Sequence, residues 1–224
     1  MVVSSPDRST RRGRPPKGVA QLSREAIQEA TLTAIDSLGV SALSMRGVAK
    51  ILGVDAKSLY NHVEGKDGLL DAVAEHILGT IAIPDRTGDP RNDLRAIAHA
   101  FRAAALAHPE AATLVLTRQL SSPVSLAPTE AVLQVLGAAG FSPDGSVPVL
   151  RMLVATLTGT LLRELQAGPA FGAAESIADR QAALAGSGLP AVARAAAWIA
   201  RFDRDAEFEF TVNTAIDAVL VLCR

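Results

Sequence analysis

Leu43-Ser-Met-Arg-Gly-Val-Ala-Lys-Ile-Leu-Gly-Val-Asp-Ala-Lys-Ser-Leu-Tyr-Asn-His-Val-Glu-Gly-Lys-Asp-Gly-Leu-Leu70 reads as two short helices joined by a tight turn, running into the start of another helix. Ser44 is a good acceptor for a free N–H at the start of a helix over residues 45–52. Gly53 can take the left-handed conformation that stops it. After Val54 a third helix fits residues 55–63, ended by Glu64-Gly65. Helical spacing turns Val48, Ala49 and Leu52 inward on the first of these and Leu59 and Val63 on the second. The small Ala49 permits close approach, and Lys57, Ser58, Asn61 and His62 are left facing outward. Upstream, residues 23–38 form a longer helix, capped by Ser23, with Glu25 in its first turn and Gly39 as its stop. One long helix followed by two short ones across a Gly-containing turn is helix-turn-helix architecture.

Working outward, residues 1–21 are rich in Ser, Pro, Gly and Arg without apolar periodicity and are expected to be a disordered basic arm. A fourth helix fits residues 66–78. Later helices fit 91–107, 109–120, 128–139, 146–167, 189–202 and 205–222, with 168–188 read as a loop that has room for a short helical piece. Ala and Leu dominate the apolar half of the composition, which favours helix over strand. The expected fold is all-α. An arm (1–21) leads into a helix-turn-helix domain (22–66), then a helical ligand-binding and dimerisation domain (67–224).

The net charge of -1 hides an asymmetry. Residues 1–66 carry 10 Lys+Arg against 6 Asp+Glu, +4, whereas residues 67–224 carry 12 against 17, -5. A basic end on an acidic body suits a polyanionic partner. The longest apolar run, Met152 to Leu162, lies between Arg151 and Arg163 and is too short to span a bilayer, so no membrane is expected. The charged N-terminal stretch does not read as a secretory signal. One cysteine, Cys223, leaves no intramolecular disulfide. A cytoplasmic, nucleoid-associated location is the plain expectation.

The run Leu59-Tyr60-Asn61-His62-Val63, followed by Lys66 and Leu69-Leu70, resembles the signature of the TetR family, most of all its tetracycline-repressor branch. The resemblance is strong over residues 22–72 and weaker in the body. It implies that Arg46 reaches a guanine. It also puts Ser44, Lys57, Ser58, Tyr60 and Lys66 at phosphate- or base-contacting positions, with Tyr60 and Lys66 as phosphate clamps. Asn61 and His62 fall where base or sugar-phosphate contacts occur. In the arm, Arg14 lies in a Gly-Arg-Pro core that resembles an AT-hook, suited to a narrow minor groove.

By the same resemblance, helices 146–167 and 205–222 pair two subunits. Their stripes are Val149, Met152, Leu153, Thr156 and Thr160, and Phe208, Val212, Ala215, Ile216, Val219 and Leu220; a monomer that buries both stripes fits the pattern equally. The pocket implied for the body has Phe101, Leu106, Leu114, Leu157 and Leu161 as apolar lining, with Thr117 and Arg118 as polar points. Leu114 and Arg163 stand where the branch holds a metal–drug complex with histidine and glutamate, which argues against a metal-bound ligand. A mostly apolar effector with one anionic or carbonyl group is expected, with no cofactor and no metal. No nucleophile–base order, phosphate loop or ligand cluster marks an enzyme. The reading is a ligand-released homodimeric repressor on a near-palindromic double-stranded DNA operator. The other reading is an architectural DNA-binding protein that relies on its arm.

Overall fold

A computed structural model describes residues 22–118, 120, 122–165 and 176–223. Among them are eleven helices and no strand: α1 Arg24–Ala42, α2 Met45–Leu52, α3 Ala56–Leu59, α4 Gly65–Gly79, α5 Pro90–Ala107, α6 Pro109–Thr117, α7 Pro123–Ala138, α8 Pro143–Leu165, α9 Ile177–Ala185, α10 Pro190–Ile199 and α11 Arg204–Leu222. The chain is all-α, with an N-terminal helix-turn-helix and a C-terminal helical body. The basic arm, Arg14 included, lies outside the described residues.

The starts follow from local chemistry. The Ser23 hydroxyl accepts from Ala26 N at 3.1 Å, the Ser44 hydroxyl from Gly47 N at 3.1 Å, and the Asp55 carboxylate from Lys57 N at 2.7 Å. Gly53 closes α2 at φ +67°, a conformation that costs glycine nothing. Gly39 behaves differently from the expected stop. It takes φ +78° inside α1, and the chain resumes helical form to Ala42 after the kink. α3 is shorter than expected. It gives way after Leu59 to turns in which His62 N and Val63 N both donate to the Leu59 carbonyl.

Two apolar cores result. The first gathers Ile27 and Ile35 of α1, Val48 and Ala49 of α2, Leu59 of α3, Leu69, Val73 and Ile77 of α4, and Leu114 and Val115 of α6. Leu59 is completely buried, and removing such a side chain to Ala costs about 2–5 kcal/mol. α4 therefore begins beside the expected boundary at residue 66 yet seals its buried face into the same core as α1–α3, while also packing on α6 and α7. The second core lies among α5, α7, α8 and α11, around Leu136, Leu161, Phe208 and Ile216.

α7 starts five residues earlier than the Pro128 expected from sequence, because Ser122 caps it and Pro128 is tolerated one turn inside. α8 likewise starts at Pro143, with Pro148 inside it. α9 occupies part of the stretch read as a loop, while residues 166–175 lie outside the described ones. α8 extends well beyond the apolar run Met152 to Leu162 on which the membrane expectation rested. An 18-residue window within its 23 residues has mean hydropathy 1.4, enough by length and composition to cross a membrane, and only 17% of that window is buried within the chain. The stripe on α11 is mostly spent internally, because Phe208, Val212, Ile216 and Val219 are buried in the second core. Val147, Val154, Phe210 and Val221 of α8 and α11 are exposed instead.

Candidate nucleic-acid interface and ligand cavity

The helix-turn-helix presents one donor-rich surface. Arg46 stands exposed in the first turn of α2, and Lys57, Tyr60, Asn61 and His62 are exposed on α3 and the turn that follows it. Tyr60 is 60% exposed although it is aromatic, so its ring is not spent on the core. Among the described residues, no side-chain hydrogen bond or ion pair engages Arg46, Lys57, Tyr60, Asn61 or His62. Ser44 is committed to capping α2, and Ser58 is half-buried. Lys66 donates its ammonium to the Ser41 carbonyl at 3.3 Å, which ties the start of α4 to the end of α1. Unpaired donors at the start of one short helix and along the next are what base edges and phosphates can use.

The body holds a cavity of about 460 Å³ between α5, α6, α7 and α8. Ile97, Phe101, Val132, Leu150, Val154 and Leu157 supply apolar wall, and Thr117, Arg118, Ser125, Thr129 and Thr158 supply polar groups. A smaller apolar hollow toward α11 shares Ile97, Val132, Leu150, Val154 and Leu157 with it. Of the residues expected from sequence, Phe101, Thr117, Arg118 and Leu157 come together in this wall. Leu114 and Leu161 do not. Leu114 is buried in the first core, where it packs with α1 and α4, and Leu161 is completely buried in the second. Leu106 is also absent from the wall. Ser125 was missed because α7 was started too late; the Ser122-Pro123 pair, a cap followed by an N1 proline, was the available signal.

Arg118 does two things at once. It lines the cavity from the end of α6, and its Nε donates to Asp71 of α4. Its Nη2 reaches the Asp67 carboxylate and the Asp67 carbonyl, each at 3.4 Å. The hydrogen bond to Asp71 is the main reason its proton is held more tightly than an ordinary arginine's. Arg163 lies elsewhere, with its guanidinium 5.1 Å from the centre of the Phe202 ring in a hollow between α8 and α11. His99 pairs with Glu209 and His108 with Asp36, each on a different helix.

A helix-turn-helix with a free donor face, joined by α4 to a helical body that holds a cavity, is the architecture of a DNA-binding transcriptional regulator. Residues 84–222 match the family model described as "Tetracyclin repressor-like, C-terminal domain". The chain is similar to an HTH-type transcriptional regulator of Saccharopolyspora erythraea, 36% identical over 84% of this chain and 82% of that one. It is also similar to the tetracycline repressor protein class A from transposon 1721 in Escherichia coli, 33% identical over 67% of this chain and 70% of that one. Its fold matches the crystal structure of the Streptomyces coelicolor TetR family protein ActR in complex with actinorhodin. The TM-score is 0.81 at 24% identity, covering 91% of this chain and 99% of that one. The chain belongs to the TetR family of helix-turn-helix transcriptional regulators.

Proposed function

We propose that this chain is a cytoplasmic repressor, with no enzymatic role, that binds a near-palindromic operator as a homodimer and leaves it when a largely apolar small molecule enters the body. The observation that carries the reading is the free donor face of Arg46, Lys57, Tyr60, Asn61 and His62, set on a core that α4 shares with α1–α3. Residues 22–66 act as the DNA-reading domain, residues 67–224 as the sensing and pairing domain, and Arg14 in the arm (residues 1–21) follows the minor groove beside the site. Arg46 reads a guanine, Tyr60 and Lys66 hold phosphates, and Ser44, Lys57, Ser58, Asn61 and His62 complete the contact.

A second copy covers the exposed apolar flank. Val147 and Val154 lie one heptad apart on α8, and Phe210 and Val221 lie three turns apart on α11, so each pair shares a helix face. Two heads at the spacing of successive major grooves read two half-sites. The cavity takes the effector: Phe101 and Leu157 form apolar wall, Thr117 and Arg118 hold a polar group, and Leu114 and Leu161 support the wall from the cores behind it. Entry favours another position of α4, and operator affinity falls by the difference in the ligand's affinity for the two states. A relative named as a tetracycline repressor, and the same fold in ActR with actinorhodin bound, support a repressor whose body takes a small molecule.

Selection of bound fragments from a random DNA library, with the full chain and Arg46→Ala in parallel, tests it. The expected result is a near-palindrome that Arg46→Ala weakens or relaxes. Recovery of A·T-rich fragments alone, equally with both proteins, would overturn it in favour of an architectural protein that works through its arm.

A further inference from the structure

Three charged groups from two helices meet at the edge of the cavity. Arg118 ends α6, while Asp67 and Asp71 lie one helical turn apart on α4. The cluster holds two carboxylates against one guanidinium and carries a net charge of -1. Asp67 is 87% exposed at its side chain and adds little by itself, whereas Asp71 is half exposed and takes the Nε bond. Arg118 is itself only 23% exposed, and among the described residues its Nη1 makes no hydrogen bond. Its guanidinium therefore offers one edge to α4 and another to the cavity. Among the described residues the rest of the cavity's polar wall is hydroxyls, so Arg118 is the cation in that lining.

We propose that the effector is an organic acid, an apolar body bearing one oxyanion, and that the oxyanion takes Arg118 away from Asp71 and Asp67. The inference rests on the regulator reading above and adds the chemistry of the ligand and the contact it breaks. Adding an anion brings the cluster to -2, with three negative groups around one cation in a partly desolvated place, so the acid and the α4 carboxylates compete. An uncharged molecule of the same shape fills the apolar wall and leaves the Arg118–Asp71 pair intact. Because α4 begins directly after the donor face and is anchored in the same core, loosening its tie to α6 is felt at Lys66, the next residue before Asp67. Ligand entry and release of α4 are then one event.

The probe pair is anilinonaphthalene sulfonate, an aromatic body with one oxyanion, and its uncharged parent phenylnaphthylamine. Both are titrated by fluorescence into the full chain, Arg118→Gln and Asp71→Asn, with amide exchange followed over Gly65–Asp71. Arg118→Gln should weaken the sulfonate about tenfold, the scale of a lost charge-assisted hydrogen bond, and leave the parent unchanged. Asp71→Asn, which removes the competitor, should bind the sulfonate more tightly and leave the uncharged parent unchanged. A partly unfolded variant would instead bind both dyes more tightly and lose the cooperative melt of the full chain. Exchange over the first turns of α4 should rise with the sulfonate and not with the parent. The proposal is overturned if the two dyes respond alike to Arg118→Gln, if Asp71→Asn does not strengthen the sulfonate, or if exchange in α4 ignores the sulfonate. These titrations need no DNA and judge the acid site alone, whereas the fragment selection judges the regulator reading.

Discussion

The cations of α5 and those of α2 and α3 are treated in opposite ways. Along α5, every basic side chain from Arg91 to Arg102 has an acidic partner across the interface. Arg91 pairs with Asp217, Arg95 with Glu209 at 2.7 Å, and His99 with Glu209 at 2.9 Å. Arg102 grips Glu164 through Nε and Nη2, takes Asp205 at 2.6 Å, and lies 4.5 Å from the centre of the Phe208 ring. On α2 and α3, by contrast, Arg46 and Lys57 have no side-chain partner among the described residues. The difference teaches how to sort basic residues. A paired cation closes the chain on itself, and an unpaired one on a short exposed helix keeps its charge for a partner. Arg118 belongs to neither class, since it is paired on one side and borders a cavity on the other.

The strongest test of the contrast is Arg102→Ala. It strands Glu164, whose side chain is 4% exposed, and should cost about 3–5 kcal/mol in a denaturant melt. A loss below about 1 kcal/mol would mean that the pairing of α5 with α8 and α11 is ornamental and would erase the distinction. Arg46→Ala should do the reverse. Operator affinity should fall by about 1–3 kcal/mol with relaxed specificity at one base pair, while the melt moves by no more than about 0.5 kcal/mol. Lys66→Ala should weaken binding to all sequences alike and lower the salt slope of log K by about one, as loss of a single phosphate contact does. A sequence-selective effect of Lys66→Ala would move it from the clamps to the readers.

The smallest effect concerns acid. Asp93, at the start of α5, is held below the usual carboxylate range first by the Thr87 backbone N–H and then by the Thr87 hydroxyl, both at 2.7 Å, with Gly88 N and Arg86 adding to them. Its folded pKa lies below its unfolded value of about 3.9, so the stability it contributes is full above that pH. That contribution is lost as pH falls through the folded pKa. Asp93→Asn should therefore flatten the acid limb of a stability-against-pH curve and leave neutral-pH operator affinity unchanged.

The sequence was most legible where one residue type meets one local demand. Ser23, Ser44 and Gly53 were read as caps and a stop, and they act as such. It was least legible where prolines sit inside helices. Pro128 and Pro148 each give up one backbone hydrogen bond near a helix start, a cost that tertiary packing repays and that a local rule cannot see. The cavity was half legible. Phe101, Thr117, Arg118 and Leu157 share one wall, but Leu114 and Leu161 turned into the cores, because periodicity marks a side chain as buried without saying against what. The partners of Arg118, 47 and 51 residues away in sequence, had no local signal at all.

The uncovered flank of α8 and α11 carries a last consequence, for gene dosage. If a second copy covers Val154 and Phe210, the folded form is stabilised by mass action, and melting temperature climbs with protein concentration. A cell that halves synthesis of such a chain loses more than half of the paired, DNA-competent form once the chain is scarce. Repression would then give way at a threshold of expression, set by how much of one long apolar helix is left for a twin to hide.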